Sequence, residues 1–254
     1  MTEKDLRIIT IILCCCLAAI LIAAIVLGSL GLLNDKDKEP VDFSTLTYVA
    51  LGDSITFGAQ YPSGAAMDTP YPEAVGQILN VKAALNFGIS GSTVCASSVG
   101  YYGMCERYAE MPDDADIVSV MGGVNDYIIR IPLGKFGDTD TTTFYGALNA
   151  LAKGLTEKYP NAFIFFMTPL KFRGNEGVMG NGGTLGDYRN AVKRVCKKYG
   201  IAVLDAAVKA DYSKAYNSEN YWGDGLHPDQ YFVSETLAPV IAEYIQNNYK
   251  VKPQ

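Results

Sequence analysis

Thr47-Tyr48-Val49-Ala50-Leu51-Gly52-Asp53-Ser54-Ile55-Thr56 is the stretch on which the fold turns. Its first five residues are β-branched, aromatic or apolar. They run straight into Gly-Asp-Ser, residue types that end a strand and cap a helix. A short apolar run with no polar alternation predicts a strand buried on both faces, as in a parallel sheet. The same pattern recurs downstream at Ala84–Phe87, Ile117–Met121, Ala162–Thr168 and Ile201–Leu204, each bounded by Gly, Pro, Asn or Asp. Helical patterns lie between and after these runs, at Glu73–Asn80, Thr143–Tyr159, Leu185–Tyr199 and Pro228–Asn248. Leu148, Leu151, Ala152 and Leu155 show the i, i+3, i+4, i+7 spacing of a core-facing helix. Pro228 suits a first helical turn, and Gly200 is placed to stop the helix before it. Strands alternating with helices predict an α/β fold: a five-stranded parallel sheet covered by helices on both sides.

Upstream of this domain the chain changes character. Ile8–Leu33 holds no charged residue and is slightly longer than the ~17–25 residues that cross a bilayer. A secretory signal peptide has a shorter apolar region, of about 7–15 residues. The organisation expected is therefore a stub at 1–7, a transmembrane signal anchor at 8–33, a charged linker at 34–44 and one folded domain at 45–254. Lys4 and Arg7 before the span balance Lys36 and Lys38 after it, so the positive-inside rule is silent on orientation. The short stub and the cargo behind the span favour a single-pass cell-membrane protein with its domain extracytoplasmic. Cys95 and Cys105 can form a disulfide on that side or remain thiols, while Cys196 reads as a buried thiol in a helix. The net charge of −6 leaves no basic face for nucleic acid.

In open parallel sheets, ligands collect beyond the carboxyl ends of the strands. The segments expected there are Gly52–Thr56, Asn86–Gly91 and Gly122–Asp126, with Asp224–Pro228 just before the last helix. A serine hydroxyl needs a base to become a nucleophile. His227 is the single histidine of the chain, and Asp224, three residues earlier, can reach its far ring nitrogen. Acyl transfer also needs donors for the developing oxyanion, and the N–H groups of Ser54 and Gly88 with the Asn125 amide are the candidates. Other chemistries lack their residues. There is no Gly-x-Ser-x-Gly elbow, no Walker A or dinucleotide glycine pattern, and no ligand spacing for a metal, so no cofactor is expected.

Gly52-Asp53-Ser54-Ile55-Thr56, Gly88 within Asn86–Gly91, Gly123-x-Asn125-Asp126 and Asp224-x-x-His227 stand in one order across nearly the whole domain. This order resembles the SGNH (GDSL-type) hydrolases. The resemblance implies a flavodoxin-like three-layer α/β/α sandwich and ester hydrolysis by a Ser54–His227–Asp224 triad. It also implies an oxyanion hole of Ser54, Gly88 and Asn125. Asp126 reads as a loop-holding acceptor, and Asp53 and Trp222 as further candidates to line the pocket. The glycine-rich stretch Gly174–Gly186 either flanks the site or is a surface excursion. The substrate expected is a small acyl ester, such as an O-acetyl group on a glycan. The alternatives are a cell-wall glycan O-acetyltransferase with the same triad and a non-catalytic glycan-binding domain.

Overall fold

The structure is a computed structural model that describes residues 41–96, 103–171, 173, 174, 176–178, 183–213 and 223–250, with 10, 13, 16–19, 21 and 22 near the N-terminus. The chain divides into two compact units, Met1–Val41 and Asp42–Gln254. Most of the anchor expected over 8–33 lies outside the described residues. Those described within it are helical. Among the described residues no helix is long and apolar enough to cross a membrane.

The second unit is built on strands β1 (Thr47–Gly52), β2 (Ala83–Gly88), β3 (Ile117–Met121), β4 (Phe163–Met167) and β5 (Ala202–Leu204). They form one sheet in the order β2-β1-β3-β4-β5, with every neighbouring pair parallel. Its helices are α1 (Ser54–Phe57), α2 (Tyr71–Leu79), α3 (Met104–Arg107), α4 (Val124–Ile128), α5 (Phe144–Lys158), α6 (Leu185–Tyr199), α7 (Ala206–Lys209), α8 (Gln230–Phe232) and α9 (Ala238–Asn248). Alternate strand residues serve two cores. Tyr48, Ala50, Phe165 and Met167 pack with Tyr71, Val75 and Leu79 of α2 and Ile241 and Ile245 of α9. Val49, Leu51, Val118, Val120 and Phe166 pack with Leu148, Leu151 and Leu155 of α5 and Tyr188, Val192 and Val195 of α6. Two dry faces explain why the strands read as unbroken apolar runs. The result is a three-layer α/β/α sandwich.

Helix ends follow their capping chemistry. Thr143 accepts the Gly146 N–H to start α5. Thr184 and Asp187 form a reciprocal capping box on α6, which stops at Gly200 with φ +68°. The C-terminal helix departs from expectation: Pro228 lies outside it, and Asp229 caps α8 by accepting the Phe232 N–H. Val233–Leu237 then widens into a π-helix before α9 begins. Pro239 lacks an N–H and crowds the preceding turn, which accounts for the widening. Cys95 and Cys105 are both buried free thiols, so the disulfide alternative is not realised; Cys196 is a buried thiol on α6.

The sheet places the site through its topology. From β1 the chain crosses to β2 on one side and then returns to β3 on the other, so a crevice opens where the order reverses. Ser54 follows β1 there and Asn125 follows β3. Asp53, at the crevice floor, caps α1: its Oδ1 accepts the Ile55 N–H at 3.0 Å. It is 0% exposed, which corrects its expected place on the pocket wall. Its Oδ2 has no hydrogen-bond partner among the described residues. Burial pushes this carboxyl from 3.8 up to about 7, against the Ile55 hydrogen bond and the nearby His227 and Arg107 charges.

Because the folded state holds the Asp53 proton more tightly than the unfolded chain does, the Asp53 contribution to stability is full at about pH 4 and is lost as pH rises toward about 7. Asp53→Asn keeps the cap and removes the titration, so its stability should vary much less across that window. Thermal melts of both proteins at several pH values read the difference. Parallel curves would show that Asp53 ionises freely.

Candidate active site

Ser54 is the first residue of α1 and only 5% exposed. Its Oγ lies 2.8 Å from His227 Nε2, and His227 Nδ1 lies 2.6 Å from Asp224 Oδ2. With Nδ1–H donating to the carboxylate, Nε2 is left to accept the serine proton. The loop that presents the histidine is held by the same aspartate: Asp224 Oδ1 accepts the N–H groups of Leu226 and His227, both at 2.9 Å. Burial raises the Asp224 carboxyl, but the hydrogen bonds from His227 and Leu226 outweigh it and hold the group below its ordinary value. Asp224 is therefore ionised throughout the neutral range.

The expected oxyanion donors do not all stand free. The Ser54 N–H has no acceptor among the described residues, as befits the first helical position. Asn125 uses one amide proton on the Ser92 carbonyl at 2.9 Å, leaving the second available. Gly88 is different. Its N–H donates to Asn86 Oδ1 at 2.9 Å, and a β-carbon there would stand 2.1 Å from the Phe57 nitrogen. Glycine at 88 lets α1 pack against the end of β2, and its amide is already occupied; the oxyanion assignment to Gly88 is corrected on that ground. The next turn offers a replacement. Ser92 N–H closes onto Ile89 O at 3.0 Å, with Gly91 at φ +79° and open space where a β-carbon would be. The Gly91 N–H has no acceptor among the described residues. The Ser90-Gly91-Ser92 tripeptide, which reads as a turn, was the available signal.

Asp126 behaves as its sequence reading suggested, accepting the Val94 and Cys95 N–H groups at 2.9 and 3.1 Å and so tying that loop to α4. Trp222 lies outside the described residues. Arg107 is the residue that sequence reasoning missed. It is 4% exposed and donates from Nη1 to the Phe87 carbonyl at 2.6 Å, from Nη2 to the Gly52 carbonyl, and from Nε to Ser92 Oγ at 3.3 Å. Burial lowers its pKa only to about 10, so it remains a cation. Nothing in the sequence marks it, because its helix is one turn long and its three targets are mostly backbone. Among the described residues no group of His, Cys, Asp and Glu could hold a metal ion.

This geometry can be set beside known proteins. The GDSL-like Lipase/Acylhydrolase family matches residues 50–231. No curated protein matches the sequence. One crystal structure is 31% identical, covers 83% of this chain and 100% of its own, and superposes with a TM-score of 0.76. A protein from Lactobacillus plantarum is 29% identical over 82% of this chain and 99% of its own, with a TM-score of 0.67. A carbohydrate acetylesterase family member from Sinorhizobium meliloti shares the fold at 16% identity, covering 78% of this chain and 98% of its own, with a TM-score of 0.55. The match to the family spans well over half the chain and includes Ser54, Asp224 and His227, and on it the chain belongs to the GDSL-like lipase/acylhydrolase family.

Proposed function

We propose that the protein is a serine esterase that removes small acyl groups, acetyl above all, from carbohydrate hydroxyls. The observation that carries this reading is the unbroken hydrogen-bond chain from Ser54 Oγ through His227 to Asp224, at 2.8 and 2.6 Å. Ser54 Oγ attacks the ester carbonyl while His227 Nε2 takes its proton, and Asp224 stabilises the imidazolium that results. The carbonyl oxygen, now negative, is held by the Ser54 and Gly91 N–H groups and the free amide proton of Asn125. His227 returns the proton to the departing alcohol, and water then repeats the sequence on the acyl-serine. A small acyl group is supported by the crowding at the nucleophile, which is 5% exposed.

Arg107 positions this machinery. It bonds to the residue preceding Asp53-Ser54, to the one preceding Gly88, and to the hydroxyl that follows Gly91. One cation thus sets the spacing between the nucleophile and the oxyanion turn. The uncharged run Ile8–Leu33 is long enough to anchor the chain in a membrane, and the proposal sets the domain on the extracytoplasmic side. Protease added to intact cells should then digest the domain; protection until lysis would reverse that orientation.

Ser54→Ala in the full chain should lower kcat on a short-chain chromogenic acetate by at least about 10³-fold with the melting temperature little changed. Equal activity in the two proteins would remove Ser54 from the chemistry. Arg107→Met should remove buried charge-assisted hydrogen bonds to the Gly52 and Phe87 carbonyls, costing about 3 kcal/mol, and should cut kcat of the folded enzyme about 100-fold through misplacement. A stability loss with kcat intact would make Arg107 a purely structural residue.

A further inference from the structure

Two exposed side chains flank the Asp224–His227 loop without joining the proton path. Tyr61 follows α1 on a loop drawn closed by the Ala59–Ala66 bridge and by the Gln60 N–H on Ala65 O at 2.9 Å. It is 59% exposed, and a β-carbon on Gly223 would come within 2.6 Å of its ring. The ring therefore lies against the residue immediately before Asp224. Arg173 meets the same loop at Gly225. Its N–H donates to the Gly225 carbonyl at 2.9 Å, and a β-carbon on Gly225 would come within 3.1 Å of its own Cβ. Arg173 is exposed, and its guanidinium has no carboxylate partner among the described residues. The acids around it are committed: Asp224 to His227 and two backbone amides, Glu176 to Arg189.

An exposed tyrosine against Gly223 and an exposed arginine against Gly225 thus meet the loop on the residues either side of Asp224, the guanidinium having no carboxylate partner among the described residues. The apolar C–H face of a sugar ring stacks on a tyrosine, and a planar guanidinium pairs with a carboxylate through two parallel hydrogen bonds. A neutral sugar gains only ordinary hydrogen bonds from the guanidinium and an acyl chain gains only the ring, whereas a uronic acid uses both groups fully. A chain of net charge −6 repels anions at long range, so an exposed cation beside the Asp224–His227 loop acts locally, within about one Debye length.

We propose that Tyr61 and Arg173 form the subsite for the alcohol half of the ester, and that this alcohol is an acidic glycan, its sugar ring on Tyr61 and a carboxylate on Arg173. The proposal rests on the esterase reading of the same site and adds its substrate class.

The test reads binding without turnover. The full-length Ser54→Ala chain is titrated calorimetrically with two acetylated oligosaccharides of the same linkage, one of uronic acid units and one neutral. The acidic ligand should bind about fivefold more tightly or better, and the preference should weaken as salt is raised. Adding Arg173→Gln should erase the preference, Arg173→Lys should retain part of it, and Tyr61→Ala should weaken both ligands about threefold to tenfold. Equal affinity for the two glycans, or a preference that survives Arg173→Gln, would overturn the proposal. Hydrolysis of the chromogenic acetate by the wild-type chain is scored separately, so loss of the subsite and loss of the esterase reading give different results.

Discussion

The carbonyl oxygens of Gly52 and Phe87 end on one buried guanidinium, and the rest of the site is arranged around that contact. Adjacent parallel strands stop hydrogen-bonding to each other at their carboxyl ends, where the chain must turn away. Those last carbonyls need a donor if they are to stay dry. Gly52 O takes the Ile89 N–H at 3.1 Å, and Arg107 adds a second donor there, one to Phe87 O and one to the Ser92 hydroxyl. A lysine, a single charge point on a flexible stem, could not address three acceptors in one plane. The consequence is geometric: the segment carrying Ser54 and the turn carrying Gly91 are referenced to the same rigid group.

Other polar side chains extend the frame outward. Asn86 accepts the Gly88 N–H and donates to the Thr56 carbonyl at 2.9 Å, fastening α1 to β2. Asp126 fastens the loop after that turn to α4, and so to Asn125. Asp224 fastens its own loop before it touches the imidazole. Each uses a side chain to satisfy backbone groups that the sheet and helices leave over. A catalytic edge built this way has little freedom, and small displacements there are what such chemistry tolerates least.

How much of this the sequence displayed follows from what generates a pattern. The sheet was legible because burial on two faces forces continuous apolar runs; the five strands fall within a residue or so of their predicted ends. Helices α5 and α6 were legible through their 3.6-residue stripes and caps. The contacts among Ser54, His227 and Asp224 were legible because the proposed ester hydrolysis calls for those residue types and the chain has a single histidine. Gly88 misled because two glycines stand close together, and only the Asn86 contact tells which amide is engaged. Arg107 left no trace, since its partners are carbonyls, which every residue carries. The π-helix at Val233–Leu237 was hidden because Pro239 signals its effect upstream, where the apolar pattern continues undisturbed.

Asp53 and Asp224 show how far environment alone separates two identical side chains near one serine. Asp224 sits partly in solvent and accepts three hydrogen bonds, from two backbone amides and an imidazole, so its anion is better solvated than in water and its affinity for protons drops. Asp53 has one backbone donor and a second oxygen facing only protein, so its anion is poorly solvated and it holds a proton up to about 7. The difference suits their positions in the proposed hydrolysis. The anion lies at the far nitrogen of the base, where positive charge will appear. The carboxyl next to Ser54, where negative charge will appear, is the one whose surroundings oppose ionisation.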